Sequence, residues 1–395
     1  MAQQQFTLLF NSRKKNPEDL KSELLKSMWN QLPFDILEKI FSFLPPDSLV
    51  RATSACRHWH TCAKTRPSQS HVIPNGPPWF LAMETRGHGL PYYVHNLSLK
   101  CWYFLPSDFL PYPIRPISPI GGLVLYRRAA SSPSIQLGLF NPFTRQHRLL
   151  PSLTAPRTNP AVGVVVGRTH SSFRVYVAGG MSTSGFAAAA SYNPTMKMYD
   201  SEADKWQSLG LMPIEFAVRL TVWTPNESVF SGGILYWMTS ARAYSVMGFD
   251  VSTGSWKELK VPMADRLEFA ALVRRKGRLA LVGGASAMEA CVWELDDCDR
   301  WVLVESVPFE MGKRFLKGKG SWWSTKCVGS DEAIYLFREL GSEMLVWREE
   351  IAEKGRWEWI LIEGCSSIRG EPVASFPYKG VLLYPTLASS YISDL

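Results

Sequence analysis

The chain has 395 residues, of which 46% are hydrophobic and 20% are charged, so it is long enough and apolar enough to form two or three folded domains. It contains no run of roughly 18 apolar residues, and its first ten residues lack a basic start followed by an apolar stretch. This argues against a membrane span and a secretory signal, and we therefore expect a nuclear or cytoplasmic protein.

The seven cysteines are scattered and include no Cys-x-x-Cys pair, which argues against a disulfide framework and a structural zinc site. The formal net charge is +8. Residues 1–66 hold ten Lys or Arg and six Asp or Glu, which leaves 33 and 29 for the rest of the chain. Because this larger part is almost neutral for its size, nucleic-acid binding is weakly supported. We predict no metal and no cofactor.

Residues 1–27 are polar and predict a mobile arm, and the segment from Met28 to Lys64 predicts two short helices. Leu32-Pro33 opens the first helix, because proline fits a first helical turn and Asp35 follows where negative charge is favourable. Pro45-Pro46 ends this helix. Its apolar residues share one face: Ile36, Leu37, Ile40, Phe41 and Leu44.

The second helix is predicted from apolar residues at offsets of 0, 3, 7 and 10, namely Leu49, Ala52, Cys56 and Trp59. A unit of under 40 residues is too small to bury two apolar faces by itself. The pattern therefore predicts docking on a helical partner, although a helical hairpin inside a larger core is the alternative.

The segment from Leu32 to Trp59 resembles an F-box, with Leu-Pro, paired aliphatics, a second Leu-Pro and a closing Cys-Arg-x-Trp. The resemblance implies that residues 28–66 dock on the Skp-type adaptor of a cullin-based ubiquitin ligase. His58, between Arg57 and Trp59, is the departure from the family pattern. The implied adaptor contacts are Leu32, Pro33, Ile36, Leu37, Ile40, Phe41, Leu44, Pro45, Leu49, Cys56 and Trp59.

Residues 67–78 are rich in turn-forming residues and predict a linker, after which short aromatic and β-branched strands begin at Trp79. One unit recurs: two strands, a Tyr/Phe-Asp or similar strand end, and a tryptophan about six residues later. Trp206, Trp256 and Trp301 mark it, with spacings of 50 and 45 residues. This period is typical of the four-stranded blades of a kelch-type β-propeller.

Weaker copies flank these units at 121–151 and 333–360, and leftover strands at 79–105 and 376–387 can combine into one blade that closes the ring. We predict a mainly β chain: a kelch-type propeller of about six blades over residues 79–395, preceded by the small all-α F-box. The chain as a whole resembles a plant F-box/kelch-repeat protein. The kelch double glycine stands at a strand end in only two units, Gly179-Gly180 and Gly283-Gly284. We expect these glycines to allow sharp turns and the tryptophans to pack between blades.

Some propellers are enzymes, but this sequence offers little for catalysis. It has no P-loop, no G-x-S-x-G and no H-E-x-x-H, and its seven histidines lie in the first 170 residues without metal-ligand spacing. A sialidase-like reading requires S-x-D-x-G-x-x-W loops, and the segment at 252–256 lacks the aspartate. We predict a non-enzymatic protein.

Binding is then expected at the propeller loops that follow the second and fourth strands of each blade, which share one face. The longest, Ser306 to Ser324, places Lys313 and Arg314 before Trp322 and Trp323, a composition suited to an acidic or phosphorylated segment. The alternative is that the tryptophans begin the next blade while the basic residues only face water. A second loop, Met181 to Thr195, is rich in Ser and Ala and is expected to be mobile.

The combined prediction is a substrate receptor that binds a Skp-type adaptor and, through it, a cullin, and presents a protein substrate for ubiquitination. The rival interpretation is a scaffold or transcriptional cofactor that uses the propeller for binding without causing degradation.

Overall fold

The computed structural model divides into two compact units, Met1–Val72 and Ile73–Leu395. The structure describes residues 31–43, 52, 55–65, 78–84, 92–129, 134–167, 172–182, 191–222, 228–240, 243–285, 289–318, 320–350, 353, 355–368 and 370–384.

Two helices of the first unit lie within the described residues over their whole length, α1 (Phe34–Phe43) and α2 (Arg57–Thr65). Helix α1 begins directly after Pro33, whose carbonyl accepts a hydrogen bond from the Leu37 amide at 3.1 Å. Leu37, Phe41 and Cys62 are buried between the helices, and the rings of Phe41 and Trp59 meet edge to face at 5.6 Å. The predicted first helix is therefore present.

The apolar residues that predicted the second helix do not lie on one continuous helix. Ala55 and Cys56 are outside the helices, and α2 begins at Arg57. The Cys56 sulfur instead accepts a hydrogen bond from the Trp59 amide at 3.5 Å, which satisfies one of the free donors of the first helical turn. The regular spacing of apolar residues concealed this break, because a helix end can interrupt a stripe without changing its periodicity.

The second unit is built from short antiparallel strands. In chain order its first half contains β1 (Trp79–Glu84), β2 (Tyr92–Asn96), β3 (Cys101–Leu105), β4 (Ile114–Ile120), β5 (Leu123–Arg128), β6 (Leu137–Asn141), β7 (Gln146–Leu149), β8 (Arg157–Thr158), β9 (Ala161–Val166), β10 (Phe173–Ala178), β11 (Met181–Ser182), β12 (Thr195–Asp200), β13 (Lys205–Leu211) and the helix α3 (Ile214–Val222).

Its second half contains β14 (Ser228–Ser231), β15 (Ile234–Thr239), β16 (Ser245–Asp250), β17 (Trp256–Lys260), β18 (Leu267–Arg275), β19 (Arg278–Ala285), β20 (Ala290–Leu295), β21 (Trp301–Ser306), the helix α4 (Phe309–Phe315), β22 (Lys326–Gly329), β23 (Ala333–Phe337), β24 (Met344–Glu349), β25 (Trp357–Ile362), β26 (Ser367–Ile368), β27 (Glu371–Pro372) and β28 (Tyr378–Leu383).

Within the described ranges these strands form six four-stranded sheets, which are the six blades of a β-propeller. From the inner to the outer strand, blade 1 is β28-β1-β2-β3, blade 2 is β4-β5-β6-β7 and blade 3 is β9-β10-β12-β13; blade 4 is β14 to β17, blade 5 is β18 to β21 and blade 6 is β22 to β25. The short strands β8 and β11 pair with each other, as do β26 and β27. The predicted blade count is confirmed.

The two ends of the propeller share blade 1, as the leftover strands predicted. Strand β28 pairs antiparallel with β1, from Trp79 opposite Leu383 to Glu84 opposite Tyr378. The inner strands contact one another in the cycle β28, β4, β9, β14, β18, β22 and back to β28. The ring is therefore closed by hydrogen bonds between strands from opposite ends of the domain.

The turn between the third and fourth strands has the same construction in five blades. An Asn or Asp at the end of the third strand accepts hydrogen bonds from backbone amides two to four residues later, and the capping residues are Asn96, Asn141, Asp200, Asp250 and Asp296. These turns contain a residue with positive φ, as at Asp204 and Asp299. The Tyr/Phe-Asp strand ends seen in the sequence are therefore turn caps.

Several tryptophans join neighbouring blades, as the sequence predicted. The Trp206 indole donates to the Pro151 carbonyl of the preceding blade connection at 2.6 Å, and the Trp301 indole donates to the Lys260 carbonyl at 2.8 Å. Trp102 of blade 1 makes the corresponding bond, at 3.3 Å, to the carbonyl of Glu363 after blade 6. Each ring thus adds a directional contact to its apolar packing.

One buried histidine makes the propeller sensitive to acid. His95 in β2 is 1% exposed, its ring centroid lies 5.1 Å from that of Trp102, and its Nδ1 has no hydrogen-bond partner among the residues that the structure describes. Burial lowers the pKa of His95 to about 4, whereas an unfolded histidine has a pKa of about 6.5. Below this higher value the unfolded chain binds a proton that the folded chain excludes, so stability falls between about pH 6.5 and pH 4.

We expect the free energy of unfolding to fall by about 2 kcal/mol more in the wild type than in His95→Leu when the pH is lowered from 7.5 to 5.0. Urea unfolding at the two pH values measures this difference. Equal losses in the two proteins would show that His95 does not titrate as its burial requires.

Candidate protein-docking surfaces

Helix α1 has apolar residues on two neighbouring sides, and among the described residues one of these sides packs closely against α2. Leu37 and Phe41 point toward α2 and are 0% and 5% exposed. On the neighbouring side, Pro33 and Ile36 are exposed and Ile40 is half-buried, and Ile36 keeps 44% of its surface accessible. A short helix that is apolar on two sides is suited to contacting a second helical protein.

The predicted adaptor residues therefore separate into groups. Leu37 and Phe41 hold the two helices together, whereas Pro33 and Ile36 face outward and Leu32 and Ile40 are half-buried. Cys56 and Trp59 are also half-buried. Leu44, Pro45 and Leu49 lie outside the described residues. The adaptor-binding role of the whole set stays a prediction.

His58 has a structural role that the sequence did not indicate. Its Nε2 donates to the Leu32 carbonyl at 2.7 Å, and its ring lies 4.9 Å from that of Phe34. The Cys62 thiol donates to the Phe34 carbonyl at 3.6 Å. Helix α2 thereby fixes the start of α1, where Pro33 and Ile36 are presented.

The propeller has one face on which the second-strand and fourth-strand connections of every blade emerge, because neighbouring strands alternate in direction. We call this the receptor face. The predicted loop from Ser306 to Ser324 lies here but is not a simple loop, since it contains α4. Arg314 in this helix pairs with Glu343 of the next blade at 2.8 Å, while the Lys313 side chain is exposed.

The two tryptophans of this segment have different environments, and the prediction for Trp322 is wrong. Trp322 is 0% exposed and stacks between Phe315 and Phe269 at 5.8 and 5.9 Å. Its amide donates to the Glu268 carboxylate at 2.6 Å, which fixes it to β18, the inner strand of blade 5. A substrate cannot reach this ring. Trp323 is 80% exposed and remains available.

The second predicted loop, from Met181 to Thr195, is fixed at both ends by one buried cation. Arg157 is 0% exposed and donates to the Gly179 carbonyl at 3.0 Å and to the carbonyl and hydroxyl of Thr195 at 2.8 and 2.7 Å. Burial lowers the pKa of Arg157. The expected mobility concerns mainly residues 183–190, which lie outside the described residues.

The sequence also contains a longer repeat that blade spacing alone did not reveal. Residues 205–220 align without a gap with residues 300–315 at an offset of 95, and both contain the pattern Trp-x₆-Pro-x-Glu-x₃-Arg. In both segments an outer strand leads into a helix on the receptor face. We call them the shelf segments. Comparing alternate blades instead of neighbouring ones would have found them.

The two double glycines precede these segments in blades 3 and 5, and each pair has a different structural role. Gly179 and Gly180 have φ of 66° and 98°, and the Gly180 amide donates to the Thr221 hydroxyl of α3 at 2.6 Å. The expected turn role is thus met there. Gly284 has no positive φ; a Cβ at this position would lie 2.5 Å from Trp322 and 2.7 Å from Phe269. Its lack of a side chain is required for packing.

Two kinds of feature are absent from the described part of the chain. It contains no group of three or more His, Cys, Asp or Glu side chains arranged to hold a metal ion. None of the helices described there is long and apolar enough to cross a membrane.

Comparison with known families matches both units. Residues 29–68 match the F-box-like family, and residues 95–347 match the F-box associated beta propeller domain. The second match alone covers more than half of the chain.

Curated relatives extend over most of the chain. Protein UNUSUAL FLORAL ORGANS of Arabidopsis thaliana is 24% identical over 91% of this chain and 87% of its own length. An F-box/kelch-repeat protein of Arabidopsis thaliana is 25% identical over 92% and 89%, respectively. Protein ABERRANT PANICLE ORGANIZATION 1 of Oryza sativa subsp. japonica is 28% identical over 74% and 73%. With its F-box-like helices and six-bladed ring, this chain belongs to the F-box associated β-propeller family.

Proposed function

We propose that the chain is the substrate-recognition subunit of a Skp-cullin-F-box ubiquitin ligase. The observation that carries this proposal is the exposed apolar side of α1 at Pro33 and Ile36, which is next to the side of the same helix that Leu37 and Phe41 already fill. An F-box-like unit joined to a propeller provides two separate binding functions in one chain. The first is for the adaptor and, through it, the cullin; the second is for a substrate.

In this role the chain needs no catalytic residue. The complex holds a substrate lysine near the conjugating enzyme that carries ubiquitin. This raises the effective concentration of the lysine at that enzyme, to about the millimolar range for short flexible tethers. The proposed place of action is the nucleus, the cytoplasm or both. The proposed substrate contacts lie on the receptor face around Lys313, Arg314 and Trp323.

Adaptor binding by purified full-length variants tests the docking half of the proposal. We expect Ile36→Ser to weaken the binding of a Skp-type adaptor at least tenfold, about 1.4 kcal/mol, because Ile36 is an exposed apolar side chain at the centre of the proposed contact. Isothermal titration calorimetry measures the affinities.

The matched control is Val222→Ser, which also replaces a β-branched apolar residue, 47% exposed compared with 44% for Ile36, but in the propeller. This variant is expected to bind the adaptor like the wild type. If Ile36→Ser binds the adaptor as tightly as Val222→Ser does, the outer side of α1 is not the docking surface.

A further inference from the structure

The two shelf segments present matching apolar side chains. Each consists of an outer strand with one extra, bulged residue, Leu209 or Val304, followed by a helix. The first helical residues, Ile214 and Phe309, occupy equivalent positions and are 55% and 56% exposed. Packing within the chain does not require an apolar residue at such exposed positions.

Both helices are held on the propeller by buried side chains and by an arginine that pairs with a carboxylate. In α3, Ala217 and Leu220 are buried, and Arg219 pairs with Glu258 at 2.8 Å and donates to the Thr239 hydroxyl at 3.2 Å. In α4 the equivalent residues are Gly312, Phe315 and Arg314, and the arginine pairs with Glu343. Ile214 and Phe309 therefore lie on helices that are fixed before a partner binds, which lowers the entropic cost of binding.

The helices lie on the same face and are separated by two of the six blades, or one third of a turn around the ring. A partner that spans this distance can contact Ile214 and Phe309 together. Two rigid apolar anchors at a fixed separation select a partner whose own apolar side chains are spaced to match.

Charge distinguishes the surroundings of α4 from those of α3. The position equivalent to Lys313 of α4 is Val218 in α3. Lys317 and Trp323 follow α4 and are exposed. Among the described residues, no ion pair joins Lys313 or Lys317 to a carboxylate, whereas Arg219 is neutralised by Glu258. The α4 end therefore favours negative charge beside an apolar contact.

We infer that Ile214 and Phe309 form a two-point docking surface for an acidic protein segment that carries two apolar anchors, with its acidic residues beside Lys313 and Lys317. This inference rests on the proposed function, because it describes how the substrate would be recognised. It makes Trp323, rather than Trp322, the aromatic contact at the α4 end.

Selection of a displayed random peptide library on the full-length protein supplies a defined probe. We expect the enriched peptides to contain two apolar positions and acidic residues next to one of them. Fluorescence anisotropy with a synthetic selected peptide should show at least tenfold weaker binding to Ile214→Ser and to Phe309→Ser. Lys313→Glu should also weaken binding, with a smaller loss of affinity on adding salt than in the wild type.

Leu99→Ser is the matched control, because Leu99 is 54% exposed but lies in a turn between a third and a fourth strand, off the receptor face. It should bind the peptide like the wild type, and thermal unfolding should be unchanged in all variants. Three results would overturn the inference: no enrichment of any peptide, enrichment of basic peptides, or binding by both serine variants within twofold of the wild type. The same proteins are also titrated with the Skp-type adaptor. If they bind the adaptor but give one of these three results with peptides, the inference fails while the proposed adaptor docking stands.

Discussion

Deleting Tyr378 to Leu395 is expected to yield an insoluble protein, since it removes β28 and opens blade 1. Tyr378, Val381 and Leu383 are at most 2% exposed, and burying each such side chain contributes about 1.5–3 kcal/mol. The loss approaches the whole stability of a typical domain, about 5–15 kcal/mol, and it leaves the edge of β1 unpaired. Soluble yield and analytical ultracentrifugation measure the outcome.

A chain that ends at Tyr384 keeps β28 and is the matched control. It is expected to be soluble and monomeric. If the deletion from Tyr378 is also monomeric and melts at the same temperature as this control, then the pairing between β1 and β28 does not hold the ring together.

Replacing Gly284 by alanine should also have a large effect, because the new Cβ would lie 2.5 Å from the Trp322 ring and 2.7 Å from that of Phe269. Both rings are buried in the core that blades 5 and 6 share, so a shift of either ring disturbs its packed neighbours. We expect a loss of about 2–3 kcal/mol in the free energy of unfolding, measured by urea denaturation.

Gly341→Ala is the control for this substitution, since its Cβ would meet Ser375 at 3.4 Å and its φ is not positive. It should change stability by less than about 0.5 kcal/mol. Equal stability of the two variants would mean that Gly284 is not required for the packing of Trp322.

The sequence predicted the ring well because its signals are local. A tryptophan within the first two residues of the outer strand occurs in five blades, and an Asn or Asp before the preceding turn also occurs in five, since blades repeat the same kind of turn and outer strand. Blade closure was also predictable, because two sets of strands without partners remained at the ends of the domain.

The receptor face was harder to predict, because its geometry depends on contacts between distant residues. Trp322 and Trp323 are adjacent, yet one is buried and the other is 80% exposed. The difference arises from the space beside Gly284 and from the hydrogen bond to Glu268, neither of which follows from the local sequence. Likewise, the pairing of Arg314 with Glu343 joins two blades and cannot be derived from composition.

The helical unit shows a similar limit. The apolar pattern of α1 predicts one docking face, but tertiary packing against α2 divides it into an inner part at Leu37 and Phe41 and an outer part at Pro33 and Ile36. Periodicity shows which residues are apolar on a helix, whereas the assignment of each to the core or to a partner depends on where the second helix lies.

The most direct test of the account measures the half-lives of the proteins that the full-length chain binds. Proximity labelling identifies these proteins in cells that express either the wild type or Ile36→Ser, and pulse-chase mass spectrometry then gives their turnover. If the chain is a ligase receptor, Ile36→Ser should label the same proteins while their half-lives lengthen severalfold. The same labelled proteins with the same half-lives in both cell lines would contradict this account and identify the chain as a non-degradative scaffold.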